Sequence, residues 1–463
     1  MTVNTRPTDE APPEPRLDRA TLVLVATMAV AAFIAVLDGT AVAVALRDLQ
    51  HSLDAGVSSI VWVTTGYLMA AGLALPLVGW ATDRFGGRRV FLTGLGVFVT
   101  GSALSGLAWS VESLVAFRVL QGFGGGLLEP VSLAVVAGAA PRAVVGRVMG
   151  LMSLIINIAP VLGPLVGGVL AGHGLWRWIF LANLPLGVVV ASLAVRSLPR
   201  TPPARAGLRA DARGMLLLSP GFVLVLVAVN RWGDGAGAAL PLVIAVVGAV
   251  LLATYARHAL RTDAPVLDLR LLAAPAFARA LLIMGLVGFM MYAMLTGLPV
   301  LAERRYGLEG LSQGVLVTGL GSGLMVSMSV AARISDRVGP RPLVRGGGAT
   351  MALLVAAVAG VHNAWALPAL VVLLILTGLA FGAIASPTFS SVYRTLTPKD
   401  AAQGTTALFI TVQLAASLGV TVLGLLLNRL ADPFGVLFAV LAGAALVAGV
   451  LARGLPGRPS APS

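Results

Sequence analysis

Stretches of about 20 apolar residues, each long enough to cross a bilayer as a helix, recur about fourteen times along this chain of 463 residues. No other feature limits the fold so strongly. In hydrocarbon the backbone must satisfy its own hydrogen bonds, so each run is read as a helix. The first six runs lie near 21–46, 57–80, 90–108, 113–137, 144–171 and 178–196. Two more fall near 214–230 and 238–256, and the last six near 277–301, 311–334, 343–361, 365–389, 402–428 and 434–452. With 58% hydrophobic residues, 11% charged residues and a mean hydropathy of +0.94, a water-soluble fold could not hide this surface. The lipid bilayer is therefore an expected partner.

A short polar motif between two of these runs occurs twice. ATDRFGGRR (81–89) returns as ISDRVGPRP (334–342), so that Asp83 and Asp336, Arg84 and Arg337, Gly86 and Gly339, and Arg88 and Arg341 are each 253 residues apart. That offset pairs the turn after span two with the turn after span ten. Two six-helix bundles separated by a two-helix insertion reproduce it, as internal repeats do in transporters that rock one half against the other. The expected organisation is a tail at 1–20, a first bundle at 21–197, a linker with two extra spans at 198–275, a second bundle at 276–453 and a tail at 454–463. The polar, proline-rich start lacks a signal-peptide layout, and the first span is expected to be retained.

The formal charge of +13 would point to a nucleic-acid partner in a soluble protein. Here the basic residues are better read as gathered on the cytoplasmic side, and no nucleic acid is expected. With both termini inside, about 25 of the 32 Lys and Arg residues fall on cytoplasmic segments. Lys399 is the single lysine, a codon bias that suggests a bacterial genome and a bacterial plasma membrane. The stretch from Arg196 to Arg213 reads as a basic connector. The stretch from Arg257 to Arg279 reads as a solvated linker with an interfacial helix near Pro265–Arg270. Cysteine is absent, which removes disulfides, thiolate metal sites and Cys nucleophiles. No GxxxxGK[ST] loop is present, and the four histidines (51, 173, 258, 362) sit in loops or at span ends. Neither an enzyme, a metal site nor a cofactor is expected, and the chain is expected to act as a monomer.

Ionisable groups inside a bilayer are costly, by at least about 2.5–3.5 kcal/mol each, and mark function. Three sit well inside spans, all in the first bundle: Asp38, Arg118 and Glu129. Asp38 (in LDGTAVAVAL) and Arg118 (in LVAFRVLQGFGGG) fall at similar depths, which permits a pair. A shielded carboxyl group can take up and release a proton near neutral pH, and arginine can act as a fixed charge beside it. Arg118, Gly122, Gly125 and Glu129 share one helix face, with Glu129 roughly 16 Å deeper, and that face suits a water-filled cavity. Asp38, Glu129 and Arg118 are thus the proton-coupling candidates. Glu129, Gln121, Asn157 and Gln413 are the candidates for contact with substrate. Gln403, Thr405, Thr406 and Thr411 on the same span as Gln413 either line the cavity or bond between helices. Asp83, Arg84, Gly86, Arg88, Asp336 and Arg337 of the repeated turns are expected to form a conformational latch, each aspartate capping a neighbouring helix or pairing with turn arginines. Gly163, Pro164, Gly167 and Gly168 favour close helix approach and a bend.

Together these motifs resemble the major facilitator superfamily over nearly the whole chain. GWATDRFGGRR (79–89) is similar to its signature loop, LVAFRVLQGFGGG to its helix-four arginine motif, and GPLVGG (163–168) to its antiporter motif. LDGTAVAVAL, WRWIFLANLPLG (176–187) and the extra central pair resemble the fourteen-helix drug:proton antiporters. The resemblance implies proton-driven efflux of amphipathic, often cationic small molecules, with Asp38 and Arg118 in proton coupling and Gly163 and Pro164 in gating. Ala43 stands where the helix-one motif often has Asn, and Val412 where span thirteen often has arginine. A proton symporter or uniporter importing a metabolite, and a non-transporting sensor or scaffold, are the alternatives.

Overall fold

A computed structural model of the chain describes residues 19–55, 57–140, 144–199, 211–233, 239–263, 265–308, 314–361, 366–397 and 400–456. Most of both expected tails and the greater part of the Arg196–Arg213 connector lie outside this set. The first bundle comprises α1 (Arg19–Ser52), α2 (Val57–Ala74), α3 (Leu77–Phe85), α4 (Gly87–Gly106), α5 (Val111–Ala139), α6 (Val145–Gly172), α7 (Arg177–Leu181) and α8 (Asn183–Ser197). The inserted pair is α9 (Ala212–Gly233) and α10 (Ala239–Arg261). The second bundle comprises α11 (Pro275–Tyr306), α12 (Gly314–Val338), α13 (Pro340–Val361), α14 (Leu367–Arg394), α15 (Ala401–Arg429) and α16 (Pro433–Leu451).

Among the described residues, thirteen segments are long and apolar enough to cross a membrane, and α7 with α8 makes one of them. The fourteenth span is broken. Residues 57–80 do not form one straight helix, because α2 ends at Ala74 and α3 departs from it at 52°. Pro76 has no N–H to continue the ladder, and the chain kinks there. The repeated motif is also more helical than a polar loop. Asp83 and Arg84 lie in the last turn of α3, and the reversal into α4 is made by Gly86 alone, at φ 82°. Gly339 makes the same reversal between α12 and α13 at φ 83°. A side chain would be strained at either position, so glycine is needed in both copies.

The two bundles pack alike. α1 lies on α6 as α11 lies on α15, and α2 lies on α5 as α12 lies on α14. The matched arginines Arg88 and Arg341 each anchor the end of their own bundle. Arg88 donates to the carbonyls of Val195 (2.8 Å), in the last turn of α8, and Leu198 (3.2 Å), just after it, and Arg341 Nε donates to the carbonyl of Leu455 after α16. These bonds satisfy helix-end carbonyls that have no partner in their own helix.

The bundles meet through α6 against α12 and α14, and through α15 against α3 and α5. Gly150 and Ala332 come together near the ends of α6 and α12, on the side that carries the repeated turns, here termed the turn face. The inserted pair sits outside this junction. Phe222 and Leu226 of α9 pack with Leu75, Phe409, Ile410 and Leu414, so α9 covers the seam between α2 and α15. α10 packs on α9 and leaves Leu242, Val243, Val246 and Val250 exposed, an apolar surface suited to lipid.

Candidate functional site

Five buried side chains from four helices close a ring of hydrogen bonds inside the first bundle. Arg118 Nη1 of α5 lies 2.5 Å from Asp38 Oδ2 of α1 and donates to Gln121 Oε1 at 2.8 Å. Gln121 Nε2 donates to Ser102 Oγ of α4 at 3.0 Å. Asn183 Nδ2, at the start of α8, donates to that same Ser102 Oγ at 3.0 Å and to Asp38 Oδ1 at 2.7 Å. Ser102 donates its own proton to the carbonyl of Phe180 at 2.9 Å. None of the five is more than 5% exposed. Buried charges persist when they are paired and hydrogen-bonded, and this ring pairs the two charges and bonds both oxygens of Asp38.

Arg118 has further support. Its Nε donates to the carbonyl of Val63 at 3.3 Å, and its guanidinium stacks 4.0 Å from the centre of the Tyr67 ring. Nη2 has no hydrogen-bond partner and relies on the aromatic face instead. Tyr67 in turn donates to the carbonyl of Ala35 at 3.0 Å.

This arrangement corrects two expectations. The face carrying Arg118, Gly122, Gly125 and Glu129 is not a continuous wet surface. A Cβ on Gly125 would lie 2.6 Å from Tyr67 Oη, one on Gly126 would lie 2.5 Å from the carbonyl of Ala71, and one on Gly122 would strike the backbone of Tyr67. The glycines let α2 pack directly on α5. Gln121 is likewise not a cavity residue, because it is fully buried in the ring. Its amide bonds to Arg118 and Ser102 within the ring, and it is not among the residues that line the central cavity.

Glu129 lies in a different environment. It lines a cavity of about 150 Å³ between the bundles. From the first half, Val36, Leu133, Ile156 and Pro160 join it. The second half supplies most of the wall, including Met284, Met291, Met328, Phe381, Phe389 and Phe409. Tyr292 and Gln413 are the other polar members, and Val412 lies beside them. Among the described residues no group forms a hydrogen bond or ion pair with Glu129. A lone carboxyl group among soft, adaptable methionines and flat rings can receive a positive charge or a proton without prior rupture of a bond. Drug-sized ligands occupy roughly 300–1,000 Å³, so this cavity must widen to hold one. The side chain of Asn157 lies outside the described set.

At the turn face, Asp83 Oδ2 accepts from Gln403 Nε2 at 3.3 Å, beside the first turn of α15. The two halves are thus joined by a side-chain bond between α3 and α15. Arg84 packs near the rings of Trp80 and Phe85, Arg88 is occupied with α8, and Arg337 is exposed. The side chain of Asp336 lies outside the described set. Gln403 therefore acts at the turn face and not in the cavity. Thr405 and Thr406 are fully buried, and Thr411 bonds back to the carbonyl of Ala407. In the GPLVGG run, a Cβ on Gly163 would strike Thr40 and one on Gly167 would strike the carbonyl of Ala41, so α6 is pressed against α1 there. The side chain of Pro164 lies outside the described set.

Tyr67, Ser102 and Asn183 are the members of the site that sequence reasoning did not single out. Asn183 lies in WRWIFLANLPLG, and its polar amide within an apolar run was the available signal.

Two helical bundles with a cavity between them, crossing the membrane many times, define a transporter fold. The profile of the Major Facilitator Superfamily matches residues 28–420 and 330–463, and the chain belongs to that superfamily. A Mycobacterium tuberculosis protein called multidrug resistance protein B homolog is 34% identical over 423 residues, spanning 89% of this chain and 77% of that one. Among solved structures, the human organic anion transporter MFSD10 (TETRAN) superposes with a TM-score of 0.69 at 18% identity, over 94% of this chain and all of that one. The proton:xylose symporter XylE superposes with a TM-score of 0.63 at 15% identity, over 93% of this chain and 94% of that one. These two likenesses establish the fold alone.

Proposed function

We propose that this chain exports amphipathic, cationic small molecules in exchange for protons, by alternating access, across a bacterial plasma membrane. The observation that carries the reading is the partnerless Glu129 carboxyl group in an apolar, methionine- and phenylalanine-rich cavity between the halves. A cation and a proton compete for one carboxylate, and that competition couples their fluxes in opposite directions. The multidrug-resistance name of the mycobacterial relative supports a drug-like substrate. The excess of basic residues on the turn face supports its placement in the cytoplasm, together with both termini.

In this reading Glu129 is the exchange site. Asp38 and Arg118 form a second candidate coupling site, which takes part only when the ring around them opens. The energy comes from the proton gradient, without a cofactor. Gln413 and Tyr292 orient substrate from the second half. The protein works as a monomer.

Transport into inverted vesicles tests this directly. Adding a lipophilic cation should release protons from the lumen, and Glu129→Gln should reduce that release about 10-fold or more while the protein still inserts. Movement of substrate and protons in the same direction would establish a symporter instead.

A further inference from the structure

Three consecutive backbone N–H groups between α10 and α11 are each taken by a side chain from a different helix. Val266 N donates to Asp211 Oδ2, at the start of α9, at 3.3 Å. Leu267 N donates to Tyr255 Oη of α10 at 2.7 Å, and the same hydroxyl donates back to the carbonyl of Leu267 at 2.8 Å. Asp268 N donates to Gln403 Oε1 of α15 at 2.8 Å. This segment is no solvated linker and no interfacial helix. Val266 is fully buried, Leu267 is 6% exposed, and a short 3₁₀ helix begins only at Leu269. Its far end is fixed as well, since Asp211 Oδ1 accepts from Gly214 N and lies 2.7 Å from His258 Nε2.

Gln403 is the point where this connector reaches the turn face. Its amide oxygen accepts from Asp268 N while its amide nitrogen donates to Asp83. The orientation is forced, because a flipped amide would set NH₂ against N–H and oxygen against carboxylate. The connector thus holds the group that bridges α15 to α3, and it is itself held by the inserted pair.

We propose that the segment Val266–Asp268 is a clasp through which the inserted helices α9 and α10 hold the turn face closed. Separation of α3 from α15 must break the Gln403 bridge. The clasp fixes the Gln403 amide in the orientation that donates to Asp83, so loosening the clasp weakens the bridge. The inserted pair is then part of the gate, beyond its role as a cover over the α2–α15 seam. This inference rests on the alternating-access part of the proposed function and is independent of substrate and of proton coupling.

The cysteine-free chain supplies a clean test. Ser386 of α14 is fully buried beside Gly150 at the turn-face junction, so Ser386→Cys creates one thiol that a maleimide reaches only when that junction opens. Labelling from the turn side should be at least about five-fold faster with Tyr255→Phe, which removes both bonds to Leu267. Asp211→Asn gives a second variant, since it turns an NH₂ toward Val266 N–H while keeping an oxygen for Gly214 N–H. Asp83→Asn serves as the gate control and should also accelerate labelling. If Asp83→Asn labels faster while both clasp variants stay at the parental rate, the clasp is overturned and the gate stands. If Asp83→Asn also stays at the parental rate, alternation at this face is overturned and the clasp with it.

Discussion

Asp38 and Arg118 are 80 residues apart in sequence and in direct contact in space, with no water-exposed surface on either side chain. Charged residues inside apolar runs stand out, so both were legible from the sequence, as was Glu129. Their neighbours were not. Ser102 and Asn183 are neutral and common in membrane helices, where most such side chains bond locally. Only the tertiary arrangement brings Asn183 to Asp38 across 145 residues. The ring has a measurable consequence. Asp38→Leu leaves a buried guanidinium unpaired and should cost about 3–5 kcal/mol, whereas the pair Asp38→Leu/Arg118→Met should recover much of that loss. Thermal unfolding in detergent reads both, and a double variant no more stable than the single would refute the assignment of the ring as a charge-compensating unit.

At the scale of helices, span positions followed from the apolar runs, but their internal breaks did not. Pro76 splits one span into α2 and α3 because a neighbouring helix is available to receive the bent segment, and α15 packs against α3. Other prolines sit inside unbroken helices, as Pro130 does in α5 and Pro387 in α14. Local chemistry alone does not distinguish these cases. The glycines of α6 behave similarly. Gly167 faces the backbone of Ala41, whereas Gly172 on the same helix has nothing within 4 Å. Gly167→Ala should therefore destabilise the protein by about 1–3 kcal/mol through overpacking, and Gly172→Ala should be tolerated. Melting temperatures of the two variants, compared in one detergent, check the contrast. Equal values would mean that α1 and α6 are not pressed together as described.

Across the whole molecule, the halves are in contact at the turn face, and a small cavity lies between them. A Cβ built on Gly150 would lie 3.0 Å from Ala332 Cβ, close to the separation of about 3.5–4.5 Å that a disulfide needs. Gly150→Cys combined with Ala332→Cys should cross-link under mild oxidation. The bond should arrest transport with the turn face shut, and reductant should restore it. Full transport by the cross-linked protein would show that this junction does not open during the cycle.

The number of spans, the duplicated turn and the residues bearing charge in the bilayer were determined by sequence alone. A run of about 20 apolar residues has almost no alternative to a spanning helix, and a charge within it has no cheap place to hide. Tertiary structure decided which of those charges meet. It enclosed Asp38 and Arg118 in a ring, left Glu129 in the central cavity, and decided between the two readings of Gln403, which bonds between helices at the turn face. The physical reason is range. A helix forms from bonds within a few residues, whereas the ring, the clasp and the closed face each depend on a contact between residues 80, 135 or 320 apart, which follows from how the spans pack together.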